Sequence, residues 1–147
     1  MKYIPVYKIE MVREKNLKVE IKTVNSPSDA ARIAEDYLVN VDREHFVVMM
    51  LDTRNNVIGI NTVSIGSLNS SIVHPRETFK PAIIHNASSL ILVHNHPSGD
   101  PTPSREDIDI TKRLADGGKL LGIEILDHVI IGDGNRRYTS LKEQGII

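Results

Sequence analysis

His94 and His96 stand one residue apart at the end of the apolar run Ser89 to His94 (SLILVH), and ten residues separate His96 from Asp107. A β-strand repeats every two residues, so both imidazoles would point to the same side and could grip one metal ion. The Pro- and Gly-containing loop from Pro97 to Pro103 is long enough to fold back. The start of the next helix would then bring the Asp107 carboxylate to the same ion. Two His and one Asp leave the fourth corner of a tetrahedron for water, which is the arrangement of a catalytic rather than a structural zinc. The chain contains no Cys, so thiolate zinc sites, disulfide scaffolds and Cys nucleophiles are excluded, and His, Asp and Glu remain as ligands.

Each feature has a blander reading by itself. Ser104-Arg105-Glu106-Asp107 has the Ser-x-x-acid form of a helix cap, in which Asp107 merely favours the helix dipole. An isolated His-x-His is more often a pair of core or surface histidines than a ligand pair. The two features joined by this loop point instead to a metal site. The letters His94-Asn95-His96 do not indicate an HNH nuclease, whose named residues are spread over a much longer segment.

The elements that would carry these residues follow from patterning. Residues 3–10 and 17–24 are expected to form two strands joined by Arg13-Glu14-Lys15-Asn16. A helix should begin at Ser26, with Asp29 completing a capping box, Pro27 in the first turn, and Ile33, Ala34, Tyr37 and Leu38 as its apolar stripe. Glu44 to Leu51 (EHFVVMML) predicts a buried strand, turned back by Asp52 to Asn56 into Val57 to Val63 as a central hairpin. The helical pattern from Pro75 to Asn86 contains Pro81, which predicts a kink or two short helices. A helix from Arg105 to Asp116 should end at Gly117-Gly118, with Ile108, Thr111, Leu114 and Ala115 facing inward. Leu121 to Ile131 and Arg137 to Leu141 predict two last strands around the turn Gly132 to Asn135.

The 147 residues suit one domain with one core, and 40% hydrophobic with 25% charged residues is a globular composition. Eighteen Lys and Arg nearly balance nineteen Asp and Glu, which gives no strong positive field for nucleic acid. The basic lean of the first 25 residues is read as solvated charge rather than a binding patch. The longest apolar stretch, Phe46 to Leu51, is far shorter than the ~20 residues that span a bilayer. With no signal peptide recognised, the expected compartment is the cytoplasm, without a membrane partner.

The string HNHPSGDPTPSREDIDITKRL, preceded by HPRETFKPAIIHNAS and followed by LDHVIIG, resembles the RadC-like JAB domain, a bacterial branch of the JAMM/MPN metalloprotease family. The resemblance extends from about Glu44 to the C-terminus. It implies an α/β (α+β) fold of the cytidine-deaminase-like JAB/MPN architecture, a mixed β-sheet flanked by helices. Residues 26–147 would form that domain, with 1–25 as an N-terminal β extension of it. It also implies Zn2+ held by His94, His96 and Asp107, and Ser104 stabilising a tetrahedral intermediate. Glu44 matches the upstream glutamate that hydrogen-bonds the zinc water, with Glu77 as the rival.

The activity so implied is zinc-assisted hydrolysis of peptide or isopeptide bonds, with a peptide or protein as substrate. Two other classes stay open. One is a non-catalytic protein-binding module on a zinc-bearing MPN fold. The other is a DNA-repair-associated RadC-like factor, for which neither a basic stripe nor the helix-hairpin-helix segment of longer RadC relatives is found in these residues. Two His and one carboxylate also describe a non-haem iron triad, so zinc is inferred mainly from the resemblance. His45, His74, His85 and His128 have no partner at ligand spacing and are read as core, capping or surface residues.

Overall fold

The apolar runs near residues 50 and 90 become neighbouring strands at the centre of a five-stranded sheet. The computed structural model describes residues 1–67, 73–132 and 137–147. Its elements are α1 (Pro27–Tyr37), β1 (His45–Leu51), β2 (Val57–Ile65), α2 (Pro75–Ile84), β3 (Ser89–Asn95), α3 (Arg105–Leu121), β4 (Glu124–Ile131) and β5 (Tyr138–Ser140). The strand order is β2-β1-β3-β4-β5. All neighbours are antiparallel except β3 and β4, which run parallel with α3 as their crossover. This is the expected mixed sheet flanked by helices, an α+β fold.

Strands β1 and β3 are almost unbroken apolar runs because both faces of the sheet are covered. Val47, Met49, Leu51, Ile91 and Val93 alternate onto one face, under Ala30, Ala31, Ile33 and Ala34 of α1. Phe46, Val48, Met50, Leu90 and Leu92 alternate onto the other, against Phe79 and Ala82 of α2 and Ile110 and Leu114 of α3. Two-residue alternation thus fixes the side on which His94 emerges, the α3 side.

Helix α1 starts at the expected cap, with the Ser26 side chain accepting from Asp29 N, but the capping box is not closed on Ser26: the Asp29 carboxylate accepts from Asn25 N at 2.9 Å. The remaining elements show several differences. Residues 3–10 and 17–24 do not form a strand pair: residues 1–16 are exposed, and the one ladder contact is an isolated bridge from Thr23 to Asn56. A two-stranded ribbon has little stability without a sheet or helix to pack on. Leu17, Val19 and Ile21 instead lean singly on the α1-side core. The β1–β2 hairpin forms, but β2 lies at the sheet edge rather than at its centre.

Pro81 sits inside one continuous α2, where it is buried beside Phe79 and Ala82, so burial of that face outweighs the lost backbone donor. Helix α3 runs through Gly117-Gly118 to Leu121 and is capped by Gly122 in the left-handed conformation. Its inner face contains Ile110 as well as Thr111 and Leu114, whereas Ile108 and Ala115 are only partly buried. Strand β4 begins at Glu124 instead of Leu121, and β5 covers Tyr138–Ser140. Most of the expected turn from Gly132 to Asn135 lies outside the described residues.

Of the two glycines, only Gly118 is required by close packing. A Cβ at Gly118 would lie 2.4 Å from the Ile123 carbonyl oxygen, whereas one at Gly117 would meet the Phe79 ring at 3.4 Å. Gly118→Ala should therefore destabilise the fold by about 1–3 kcal/mol, as overpacking against backbone does. Gly117→Ala should be neutral or stabilising by up to ~1 kcal/mol, through helix propensity. Urea midpoints of the two variants check this, and equal midpoints would contradict it.

Candidate metal centre

The ligand set is assembled where β3 ends and α3 begins. His94 is the penultimate residue of β3 and is buried, and His96 lies just beyond it, partly open to solvent. His96 continues the sheet edge by donating its main-chain N–H to Ile131 O at 2.9 Å, and Gly99 N donates back to His96 O at 3.0 Å. The returning loop touches the end of β4 backbone to backbone, since a Cβ on Gly132 would sit 2.3 Å from Gly99 O. Its fold brings the Asp100 carbonyl to His96 Nδ1 at 2.8 Å. A carbonyl can only accept, so neutral His96 carries its proton on Nδ1 and presents the lone pair of Nε2 to the site.

Asp107 combines the two readings that the sequence set against each other. It is the third residue of α3 and closes a capping box with Ser104: Ser104 N donates to Asp107 Oδ2 at 2.7 Å, and Asp107 N donates to Ser104 Oγ at 3.1 Å. The same carboxylate faces both histidines, Oδ1 at 3.1 Å from His94 Nε2 and Oδ2 at 3.2 Å from His96 Nε2. The cap orients the ligand, so helix start and metal site are one arrangement.

The donor atoms fit a cation. His94 Nε2 and His96 Nε2 are 2.9 Å apart, and ligand atoms of the three residues all lie within 4.8 Å of one another. A tetrahedral ion with bonds of about 2.0–2.1 Å separates its ligands by about 3.3 Å, close to these spacings. The electrostatics point the same way. Burial pushes the Asp107 carboxyl up, but His94 and His96, which hydrogen-bond it when their rings are protonated, overcome this and hold the group well below the usual carboxylate range. The His96 pKa is raised by its hydrogen bond to Asp107, against burial, with help from Asp100 and from the charge of Glu44. The pocket favours positive charge at its centre, and a divalent ion would supply it.

Glu44 is half-buried and immediately precedes β1, whose Phe46 is in register with His94. Asn95 holds that segment in place: its Oδ1 accepts from His45 N at 2.8 Å and its Nδ2 donates to Arg43 O at 3.0 Å, on either side of Glu44. Glu77 is elsewhere, in the first turn of α2, where Lys80 (2.9 Å) and Arg76 (3.6 Å) engage it and, led by the Lys80 hydrogen bond, lower its pKa. The structure therefore brings Glu44 toward the histidines and leaves Glu77 with its own cations.

Three residues went unassigned in the sequence. Asn95 is the strap just described. Thr111 and His128 form a buried hydrogen-bonded pair behind His94. The four-residue step from Asp107 to Thr111 was a usable helical signal, but nothing in the sequence joins His94 to His128, because only the parallel pairing of β3 and β4 makes them neighbours. Of the other histidines, His74 caps α2 by accepting from Arg76 N, and His85 meets Ile58 O at 3.2 Å.

Residues 24–146 match the model of the RadC-like JAB domain. The chain is 62% identical over 124 residues to a UPF0758 protein of Desulfitobacterium hafniense, covering 84% of this chain and 54% of that protein. It is 60% identical over 123 residues to one of Caldanaerobacter subterraneus, covering 84% and 52%, and 53% identical over 126 residues to one of Methanosarcina mazei, covering 86% and 54%. The chain thus spans about half the length of these relatives.

If these side chains hold a metal, the ion must displace the proton favoured at His96. The raised pKa means that this proton is retained above the ordinary His value of about 6.5, so apparent Zn2+ affinity should climb as pH rises through and beyond that value. Titration calorimetry in buffers of different ionisation enthalpy should show proton release, and a pH-independent affinity would remove His96 from the set. His96→Ala should no longer hold stoichiometric zinc by elemental analysis.

Proposed function

This chain belongs to the RadC-like JAB domain family, and from that premise we propose that it is a zinc-dependent hydrolase of peptide or isopeptide bonds. The observation that carries the reading is the open triad: His94, His96 and Asp107 converge on one point, with Ser104 at its rim and Glu44 toward His96. Three protein ligands on a four-coordinate ion leave one position for water or substrate, as catalytic zinc sites do. Zinc bound there would supply Lewis acidity, making water a stronger acid near neutral pH and polarising an amide carbonyl.

The chain's own residues supply the rest. The Glu44 carboxylate takes a proton from the attacking water as oxygen adds to the carbonyl carbon. It then returns the proton to the amine nitrogen as the C–N bond breaks. Ser104 Oγ already accepts from Asp107 N, which leaves its O–H free to donate to the developing oxyanion. Ser104 is exposed and His96 only partly buried, so an extended chain can approach from the side of the loop. A peptide or protein partner fits this opening. The nearly balanced charge provides no comparable support for DNA.

Glu44→Gln preserves shape and removes the proton acceptor, so it should keep zinc while hydrolysis drops by about 100-fold or more. Glu77→Gln should cleave like the wild type. The measurement is turnover across a panel of peptides and isopeptide-linked conjugates, with zinc content determined on the same samples. A zinc-loaded wild type that cleaves nothing in the panel would favour the binding-module reading, and a dead Glu77→Gln beside an active Glu44→Gln would reassign the base.

A further inference from the structure

His128 has no task in that mechanism, yet it is completely buried beside a ligand. It lies on β4, in register with Leu92 of β3, and faces the same side of the sheet as His94. The Phe46 ring packs on it in a T-shaped arrangement, with centroids 5.7 Å apart. Both ring nitrogens are engaged: Nε2 lies 2.9 Å from His94 Nδ1, and Nδ1 meets the Thr111 hydroxyl. That hydroxyl lies 2.6 Å from the main-chain carbonyl of Asp107.

The polarity of this chain of bonds can be worked out from its fixed end. The Asp107 carbonyl can only accept, so the single hydroxyl proton of Thr111 is committed to it. Thr111 Oγ1 must then accept from His128, which places the proton of the neutral His128 ring on Nδ1 and leaves a lone pair on Nε2. That lone pair accepts from His94, so His94 carries its proton on Nδ1. Its bare nitrogen is Nε2, the atom that faces His96 and Asp107. The opposite polarity would turn the Thr111 proton toward His128 and leave two acceptor oxygens facing each other at 2.6 Å.

We propose that Thr111 and His128 form a proton-ordering relay that sets the tautomer of His94 before a metal arrives, which makes His128 a positioning residue of the metal centre. The inference rests on the metal-centre reading above. The relay starts on the main chain of one ligand and ends on the ring of another, so it couples α3 to β3 through β4. An unordered imidazole would present Nε2–H for part of the time, and a nitrogen that carries a proton cannot ligate.

The test uses the full chain with 15N-labelled histidine, metal-free and at about pH 8, where imidazoles are ordinarily neutral. Long-range 1H–15N correlation reads which ring nitrogen carries each proton. His94 and His128 should both be Nδ1–H, and Thr111→Val should release His128 from that form. Zinc affinity, measured by chelator competition, gives a second readout. His128→Leu fills the space without an acceptor and should weaken binding by about 10- to 100-fold. His128→Gln, which returns an acceptor oxygen toward His94 Nδ1, should recover most of that loss. Finding His94 as Nε2–H in the metal-free wild type overturns the relay, as does wild-type zinc affinity in a folded His128→Leu. Should His128→Leu fail to fold, the tautomers of the wild type and of Thr111→Val decide. Failure of the wild type to bind zinc, with His94 still Nδ1–H, would instead sink the metal-centre reading.

Discussion

The parallel pairing of β3 with β4 is the constraint on which the rest depends. Parallel neighbours cannot be joined by a tight turn, so the chain must leave the end of β3, cross the sheet and return, and α3 is that crossover. The start of α3 therefore falls beside the end of β3, which places Asp107 against His94 and His96. The same pairing sets His128 beside His94. A candidate site at the carboxyl end of a parallel strand, next to a helix N-terminus, follows from this connection much as ligand crevices do in open α/β sheets.

Polar groups gathered at a buried point are costly unless each finds a partner. Here the partners are unusually complete. Asp107 Oδ2 accepts from Ser104 N, His96 Nδ1 is held by Asp100, and His94 Nδ1 by His128. Only the Nε2 lone pairs and the carboxylate are left pointing at one another, and they share a need for positive charge. A proton can meet that need in part, as the raised His96 and lowered Asp107 pKa values show. A divalent ion would meet it fully. The polar network ties four elements together: β1 through Asn95, β3 through the histidines, α3 through Asp107 and Thr111, and β4 through His128.

Asp127, next to His128 on β4, illustrates how strand alternation divides labour. Its carboxylate accepts from Ser140 Oγ at 2.6 Å and from Lys142 N at 3.1 Å, which secures the C-terminal segment. One dipeptide thus serves the chain end with one side chain and the metal-centre face with the other. The N-terminal 16 residues show the opposite case, apolar side chains such as Tyr3, Ile4, Val6 and Tyr7 with strand-like composition and no ladder partner. The sequence pattern suggested strands here, and the described residues form none, since pairing is a property of two segments.

What the sequence determined by itself was whatever depends on near neighbours. The caps at Ser26 and Ser104, the apolar periodicity of β1 and β3, and the convergence of His94 and His96 through the two-residue strand repeat are all local. Together with the His-x-His, Ser-x-x-Asp spacing, they made the candidate metal-binding trio His94, His96 and Asp107 legible in the sequence. The tertiary structure decided what depends on residues far apart in the chain. It moved the end of α3 from Gly117-Gly118 to Gly122, because Gly118 is needed for contact with Ile123 rather than for a cap. It set Glu44 just ahead of β1, the strand paired with β3, and gave Glu77 two cations on α2. It also put His128, read from the sequence as a core, capping or surface residue, in the core against the His94 ring. Local patterning records how a segment prefers to fold, whereas which side chain meets which across the sheet is set by strand order and register, and these exist only once the whole sheet has formed.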